Sequence, residues 1–148
     1  MKERPLVSIL MNCYNSDHFL KEAIDSIYNQ TYKNWEIIFW NNMSTDNSKD
    51  IALSYDKKLK YYDSEKFMSL GEARKKACEK ANGKYIAFLD CDDVWLHDKL
   101  DRQVELFENS VETLGLVYGK TIYYSEFKKK KVKKYQPILD GYVFDKLI

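Results

Sequence analysis

At 148 residues, with 45% apolar and 15% aromatic side chains, the chain holds enough material for one folded domain with a substantial core and is not disordered. Its 24 basic and 23 acidic residues leave a net charge of +1, which gives no support to nucleic acid as a partner. No apolar run approaches a membrane span, and Met1–Pro5 leads into a strand rather than a signal peptide. The three cysteines, Cys13, Cys78 and Cys91, lack metal-site spacing and read as reduced thiols of a cytoplasmic protein.

In chain order, the apolar run Leu6–Tyr14 reads as a strand covered on both faces. A helix follows, capped by Ser16 or Asp17, with Leu20, Ala23, Ile24 and Ile27 on one face. Trp35–Trp40 is a second buried strand. A polar turn with Ser44, Thr45 or Asp46 as cap then opens a short helix, and Leu59–Asp63 is a weaker strand. Ala73, Ala77 and Ala81 form the packing stripe of a third helix, with Gly83 as its stop. Lys84–Asp90 is the fourth strand. An amphipathic helix through Leu100, Val104, Phe107 and Val111 follows, then a fifth strand over Leu114–Tyr124.

Alternation of this kind predicts an α/β fold, a mostly parallel central sheet with helices on both faces. In such sheets ligands lie beyond the carboxyl ends of the strands. Three polar clusters fall there: Asn12–Asn15, Asn41–Asp46 and Asp90–Asp93. The last sets three carboxylates around Cys91, and like charges so close repel unless a cation joins them or water screens them. Hard oxygen ligands suit Mg²⁺ or Mn²⁺, which keep positions open for substrate phosphates. No phosphate-binding P-loop and no G-x-G-x-x-G turn is present, so a carboxylate-held cation would have to do the phosphate work. A solvated helix-capping turn is the plainer reading of the same acids, and turn formation is the plainer reading of Asn41 and Asn42.

Four stretches in order give the chain a family resemblance. "VSILMNCYNSDHFLKEAIDSIYNQTYKNWEIIFW" contains an S-I-x-x-Q-T-Y segment, "NNMSTDNS" matches a D-D-G-S-T-D turn, "GEARKKACEKANGKYIAFLD" precedes the acids, and "DCDDVWLHDKL" carries them. Together they resemble the family 2 glycosyltransferases of the GT-A fold, over about Leu6 to Tyr124. The resemblance implies a metal-dependent, inverting transfer of sugar from a nucleoside-diphosphate donor, with a UDP-sugar the expected one, to a glycan or lipid-linked acceptor. It implies that Cys13, with Asn15 beside it, Asn41, Asn42 and Arg74 contact the donor nucleotide. Asp90 would serve ribose and metal, Asp92 would be the main metal ligand, and Asp93 a sugar-side or supporting carboxylate.

The pattern also departs from the family. Asn41 stands for the usual Asp, Lys75 for Asn, and Asn12 for a frequent Pro. The family's catalytic base lies downstream of the acids, and Glu126, Asp140 and Asp145 do not fit its pattern. Residues 1–124 are therefore expected to be the donor-binding domain and 125–148 the start of an acceptor-side region that continues beyond this chain. The lysine run Lys128–Lys134 reads as a solvated hairpin tip, or as a contact with an anionic membrane surface, placing the enzyme at the inner face of the membrane. A nucleotidyltransferase is the alternative enzyme, but "NCYNSDH" lacks its Gly-rich basic loop. A non-catalytic nucleotide- or metal-binding α/β domain is the alternative outside enzymes.

Overall fold

A computed structural model describes residues 4–111, 114–119, 121–125 and 130–132, divided between two compact units, Met1–Glu108 and Asn109–Ile148. In the first unit, β1 (Val7–Cys13), β2 (Trp35–Asn41), β3 (Leu59–Asp63) and β4 (Tyr85–Phe88) form a parallel sheet in the order β3-β2-β1-β4. Helices α1 (Asp17–Tyr28), α2 (Ser48–Leu53) and α3 (Leu70–Cys78) connect the strands, and α4 (Lys99–Asn109) follows β4. The chain thus winds outward from β1 to β3, then crosses back to place β4 on the other side of β1. The strand order switches between β1 and β4.

Strands β1 and β2 lack polar alternation because both their faces are covered. Ile9, Met11, Ile37 and Phe39 pack with Leu20, Ala23, Ile24 and Ile27 of α1, Ala52 of α2, and Leu100 and Val104 of α4. On the opposite face Leu10, Ile38 and Trp40 meet Ala73 and Ala77, whose small side chains let α3 approach closely. Each of the larger aliphatic side chains so buried contributes about 1.5–3 kcal/mol.

Several expectations need correction. Strand β4 is the sheet edge among the described residues, and one of its faces is open: Ile86 is 40% and Phe88 53% exposed. The strand expected over Leu114–Tyr124 is absent at 114–119 and 121–122, and only Tyr123–Ser125 (β5) pairs, antiparallel, with Lys130–Val132 (β6). Its apolar composition favours extended chain, but propensity alone does not make a strand. Val111 lies beyond α4, fully exposed, whereas Phe107 stacks on Tyr85 at 4.6 Å. The lysine run supplies β6; its other members, with Glu126, Asp140 and Asp145, lie outside the described residues.

Gly83 does not stop α3, which ends at Cys78. A Cβ on Gly83 would meet Ser8 N at 2.5 Å and Leu6 O at 2.8 Å, so glycine there allows close backbone approach at the amino end of the sheet. A buried polar knot forms beside it. Ser8 Oγ donates to Glu36 at 2.7 Å and accepts from the N–H groups of Asn82 (3.1 Å) and Gly83 (2.8 Å). Glu36 also accepts from Asn82 N–H at 2.9 Å and from Lys60 Nζ at 2.5 Å. Burial would raise the Glu36 carboxyl, but the Lys60 bond, the Ser8 hydroxyl and the Asn82 N–H outweigh it and hold it below the usual range.

Candidate functional site

All four strands point their carboxyl ends the same way, and the switch between β1 and β4 leaves a crevice at that end. Residues Asp90–Asp93 form a tight turn there, closed by Asp93 N–H donating to the Asp90 carbonyl at 3.1 Å. Arg74, projecting from α3, donates from Nη2 to Asp90 Oδ1 at 2.8 Å, and its guanidinium lies 5.7 Å from the Phe88 ring centre. The packing of α3 on the sheet thereby delivers a cation to the first acid of the turn. Helix α3 starts firmly because Ser69 and Glu72 form a reciprocal capping box.

The turn's three acids remain incompletely compensated. Partial desolvation first, then the charges of Asp92 and Asp90, push the Asp93 carboxyl above its ordinary value. Among the described residues no set of three or more His, Cys, Asp and Glu side chains converges on one point. One or two exposed carboxylates still fit Mg²⁺ or Mn²⁺, which take their remaining ligands from water and substrate phosphates.

The turn is held from behind by residues whose role is not legible as chemistry in the sequence. Trp95 N–H donates to Ser26 Oγ at 3.1 Å. The side chain of Gln30, fully buried, donates to the Leu96 carbonyl at 2.8 Å and accepts from Leu100 N–H at 3.0 Å. Thr31 N–H donates to the His97 carbonyl at 2.8 Å. The S-I-x-x-Q-T segment is therefore the anchor that fixes the chain following the acids to the end of α1.

The other predicted contacts are tied to the scaffold. Asn15, at φ 48°, accepts from Thr45 N–H at 2.8 Å and donates its own N–H to Ser44 Oγ at 3.1 Å, joining the turns after β1 and β2. Asp46 links two helix starts, accepting from Asp17 N–H and Ser48 N–H, each at 3.0 Å; Ser16 makes no side-chain cap. Asn41 donates to Asp63 at 2.8 Å and accepts from Ser44 N–H at 3.1 Å. Asn42 donates to the Met68 carbonyl at 2.9 Å and accepts from Met68 N–H at 3.1 Å.

Cys13 is buried on the α1/α2 face, with Sγ 3.8 Å from Ser44 Oγ. A bond from Cys91, opposed by burial and aided by the nearby serines, lowers its thiol to about 6, while Cys13 and burial drive Cys91 upward. Cys91 Sγ also lies 3.3 Å from the Asn12 carbonyl, which closes the acid turn onto β1. The exposed rings of Tyr14 and Phe67 meet edge-on at 4.9 Å, an aromatic pair that separation in sequence conceals.

A second cleft, between α1 and residues 94–97, is lined by His18, Lys21, Asp25, Trp95 and His97. Lys21 and Asp25 neutralise one another there at 2.6 Å, and nothing in it resembles the acid turn.

A family model described as Glycosyl transferase family 2 matches residues 8–146. The Escherichia coli protein named UDP-Glc:alpha-D-GlcNAc-diphosphoundecaprenol beta-1,3-glucosyltransferase WfgD is 36% identical over 115 residues, covering 77% of this chain and 45% of WfgD. S. aureus TarS 1–349, crystallised in complex with UDP, matches with TM-score 0.66 and 25% identity over 69% of this chain and 32% of that one. The mannosyltransferase PcManGT from Pyrobaculum calidifontis shares the fold at TM-score 0.67 and 22% identity, over 73% of this chain and 34% of its own. The chain spans about half the length of the curated relatives it matches.

Proposed function

The chain belongs to glycosyl transferase family 2, with the GT-A fold, and on that premise we propose that it is the donor-binding part of an enzyme that moves a sugar from a UDP-sugar to a glycan or lipid-linked acceptor. The observation that carries this reading is the pairing of Arg74 with Asp90 at the switch crevice, beside a turn holding two further carboxylates. Asp90 and Asp92 would hold Mg²⁺ or Mn²⁺, and Arg74 orients Asp90 while adding positive charge where a diphosphate would lie. When bound, the metal neutralises charge growing on the diphosphate leaving group. Asp93 stands beside the two ligands as a sugar-side or supporting carboxylate.

Transfer with inversion is a single displacement: the acceptor oxygen bonds to the anomeric carbon as the bond to the diphosphate breaks. The acceptor's proton passes to a base outside residues 1–124, the donor-binding domain, and residues 125–148 begin the acceptor side. A UDP-sugar donor and a lipid-linked acceptor are supported by the naming of WfgD, and a uridine nucleotide by the UDP complex of TarS. With such an acceptor, the protein would act in the cytoplasm, at the inner face of the membrane. No helix among the described residues is long and apolar enough to cross a membrane.

The test is calorimetric titration with UDP, with and without Mn²⁺, on the unsubstituted chain and on Asp92→Ala. Metal-dependent binding that disappears in Asp92→Ala is the expected result. Equal binding with and without metal, or sugar transfer by the 148-residue chain alone, would overturn the corresponding part of the proposal.

A further inference from the structure

Gln30, in the S-I-x-x-Q-T segment, is fully buried, and its amide is bonded at both ends. Nε2 donates to the Ser26 carbonyl at 3.0 Å and to the Leu96 carbonyl at 2.8 Å, and Oε1 accepts from Leu100 N–H at 3.0 Å. Two of those partners lie 66 and 70 residues further along the chain. Leu100 is the second residue of α4, so its N–H has no partner within its own helix. Gln30 therefore caps α4 from outside. Asp98, in front of α4, turns its carboxylate to Arg102 at 2.6 Å instead. Ser26 adds a second tie: its hydroxyl donates to the Ala23 carbonyl at 2.7 Å and accepts from Trp95 N–H at 3.1 Å.

The segment so held, 94–97, starts directly after Asp93. It forms no helix or strand, and Val94 and Leu96 are 55% and 67% exposed, so Trp95 is the side chain by which it enters the core. Segments with so little apolar burial open readily unless polar ties hold them. In front, Cys91 Sγ lies 3.3 Å from the Asn12 carbonyl. The acid turn is thus slung between β1 and the end of α1, while Arg74 fixes Asp90 from α3. Asp92 is exposed and takes its position from the turn backbone. A cation with only one or two protein ligands needs them placed within fractions of an ångström. We infer that Gln30 is a positioning residue for the cation of the donor site. It acts through the backbone of 94–100 on the carboxylates of Asp90 and Asp92, and, being fully buried, touches neither cation nor nucleotide.

This inference rests on the donor-site reading, and the experiment separates the two. UDP is titrated by calorimetry at stepped Mn²⁺ concentrations into the unsubstituted chain, Gln30→Leu, Gln30→Glu and Gly83→Ala, with thermal melting of each. Gln30→Leu removes all three side-chain bonds, and the Mn²⁺ concentration that half-supports UDP binding should rise on the order of tenfold, the scale for groups that orient metal ligands. Saturating Mn²⁺ should restore UDP binding at full stoichiometry, because the contacts to the nucleotide are intact. Gln30→Glu keeps the acceptor for Leu100 and loses the donors, so its Mn²⁺ requirement should rise less, and it decides the matter if Gln30→Leu does not fold. Gly83→Ala disturbs the opposite end of the sheet and should leave the Mn²⁺ requirement unchanged despite a lower melting temperature. An unchanged requirement in the folded Gln30 variants, a loss that saturating Mn²⁺ does not restore, or an equal rise in Gly83→Ala overturns the role of Gln30 alone. Failure of the unsubstituted chain to bind UDP with Mn²⁺ overturns the donor site and this inference with it.

Discussion

The two ends of the sheet compensate their carboxylates in opposite ways. At the amino end the Glu36 carboxylate is paired with Lys60, bonded by Ser8 and Asn82, and sealed by a glycine that admits backbone where a Cβ would not fit. At the carboxyl end three exposed carboxylates crowd one turn, and Asp93 is raised by its surroundings. The first arrangement is complete without a ligand and serves stability. The second leaves like charges close together, as expected where stability is given up for another end.

Breaking the amino-end knot should have the largest effect. Glu36→Ala removes a buried carboxylate and takes the acceptor from the Ser8 hydroxyl and Lys60 Nζ, for an expected loss of roughly 3 kcal/mol by urea denaturation. Because the folded carboxyl titrates below its ordinary value, its stabilisation is fully present above the usual glutamate range and is lost as pH falls through the folded value. Glu36→Gln should therefore flatten that part of the acid-unfolding curve. Gly83→Ala, which forces a methyl against Ser8 N and Leu6 O, should cost about 2 kcal/mol by the same measurement.

Substitutions behind and within the acid turn should go the other way. Lys99, at the start of α4, lies with its amine 4.0 Å from the Trp95 ring centre, and burial lowers it to about 8. Below pH 8 both folded and unfolded chains carry that proton, and only the folded one bears the desolvation. Lys99→Met should therefore stabilise the protein at pH 7 by about 1–2 kcal/mol. As pH rises from about 8 toward 10.5, the unfolded chain holds the proton that the folded chain has released, so the native lysine regains stability and the advantage of Met fades in thermal melts. The smallest effect is expected for Asp93→Asn: a gain of no more than about 1 kcal/mol, limited by solvent screening. If Asp93→Asn instead destabilises the chain, the turn is a structural cap and the contrast between the two ends fails.

Legibility in sequence followed the range of the interactions. The apolar runs of β1 and β2, the i, i+3, i+4 face of α1 and the Ala73–Ala77 pair of α3 are local periodicities that the structure reproduces, whereas Ala81 lies beyond the end of α3. The acids after β4 were legible because three carboxylates at a strand end are conspicuous as charge. Gln30 and Ser26 were legible only as part of a family motif, since the loop they hold lies far along the chain: Leu100, which Gln30 accepts from, is 70 residues away. Of the strand expected over Leu114–Tyr124 only Tyr123 and Tyr124 pair, because a favourable composition by itself does not supply a partner.

Composition and patterning by themselves determined an α/β chain with two fully covered strands and an acidic turn aimed at the ligand end, because burial period and charge are properties of neighbours in sequence. Tertiary structure decided which groups were free to act there. Packing of α3 brought Arg74 to Asp90, and the turns after β2 consumed Asn41 and Asn42. Whether a donor or acceptor is available to a ligand depends on every atom within hydrogen-bond reach, and those atoms come together only when the chain has folded.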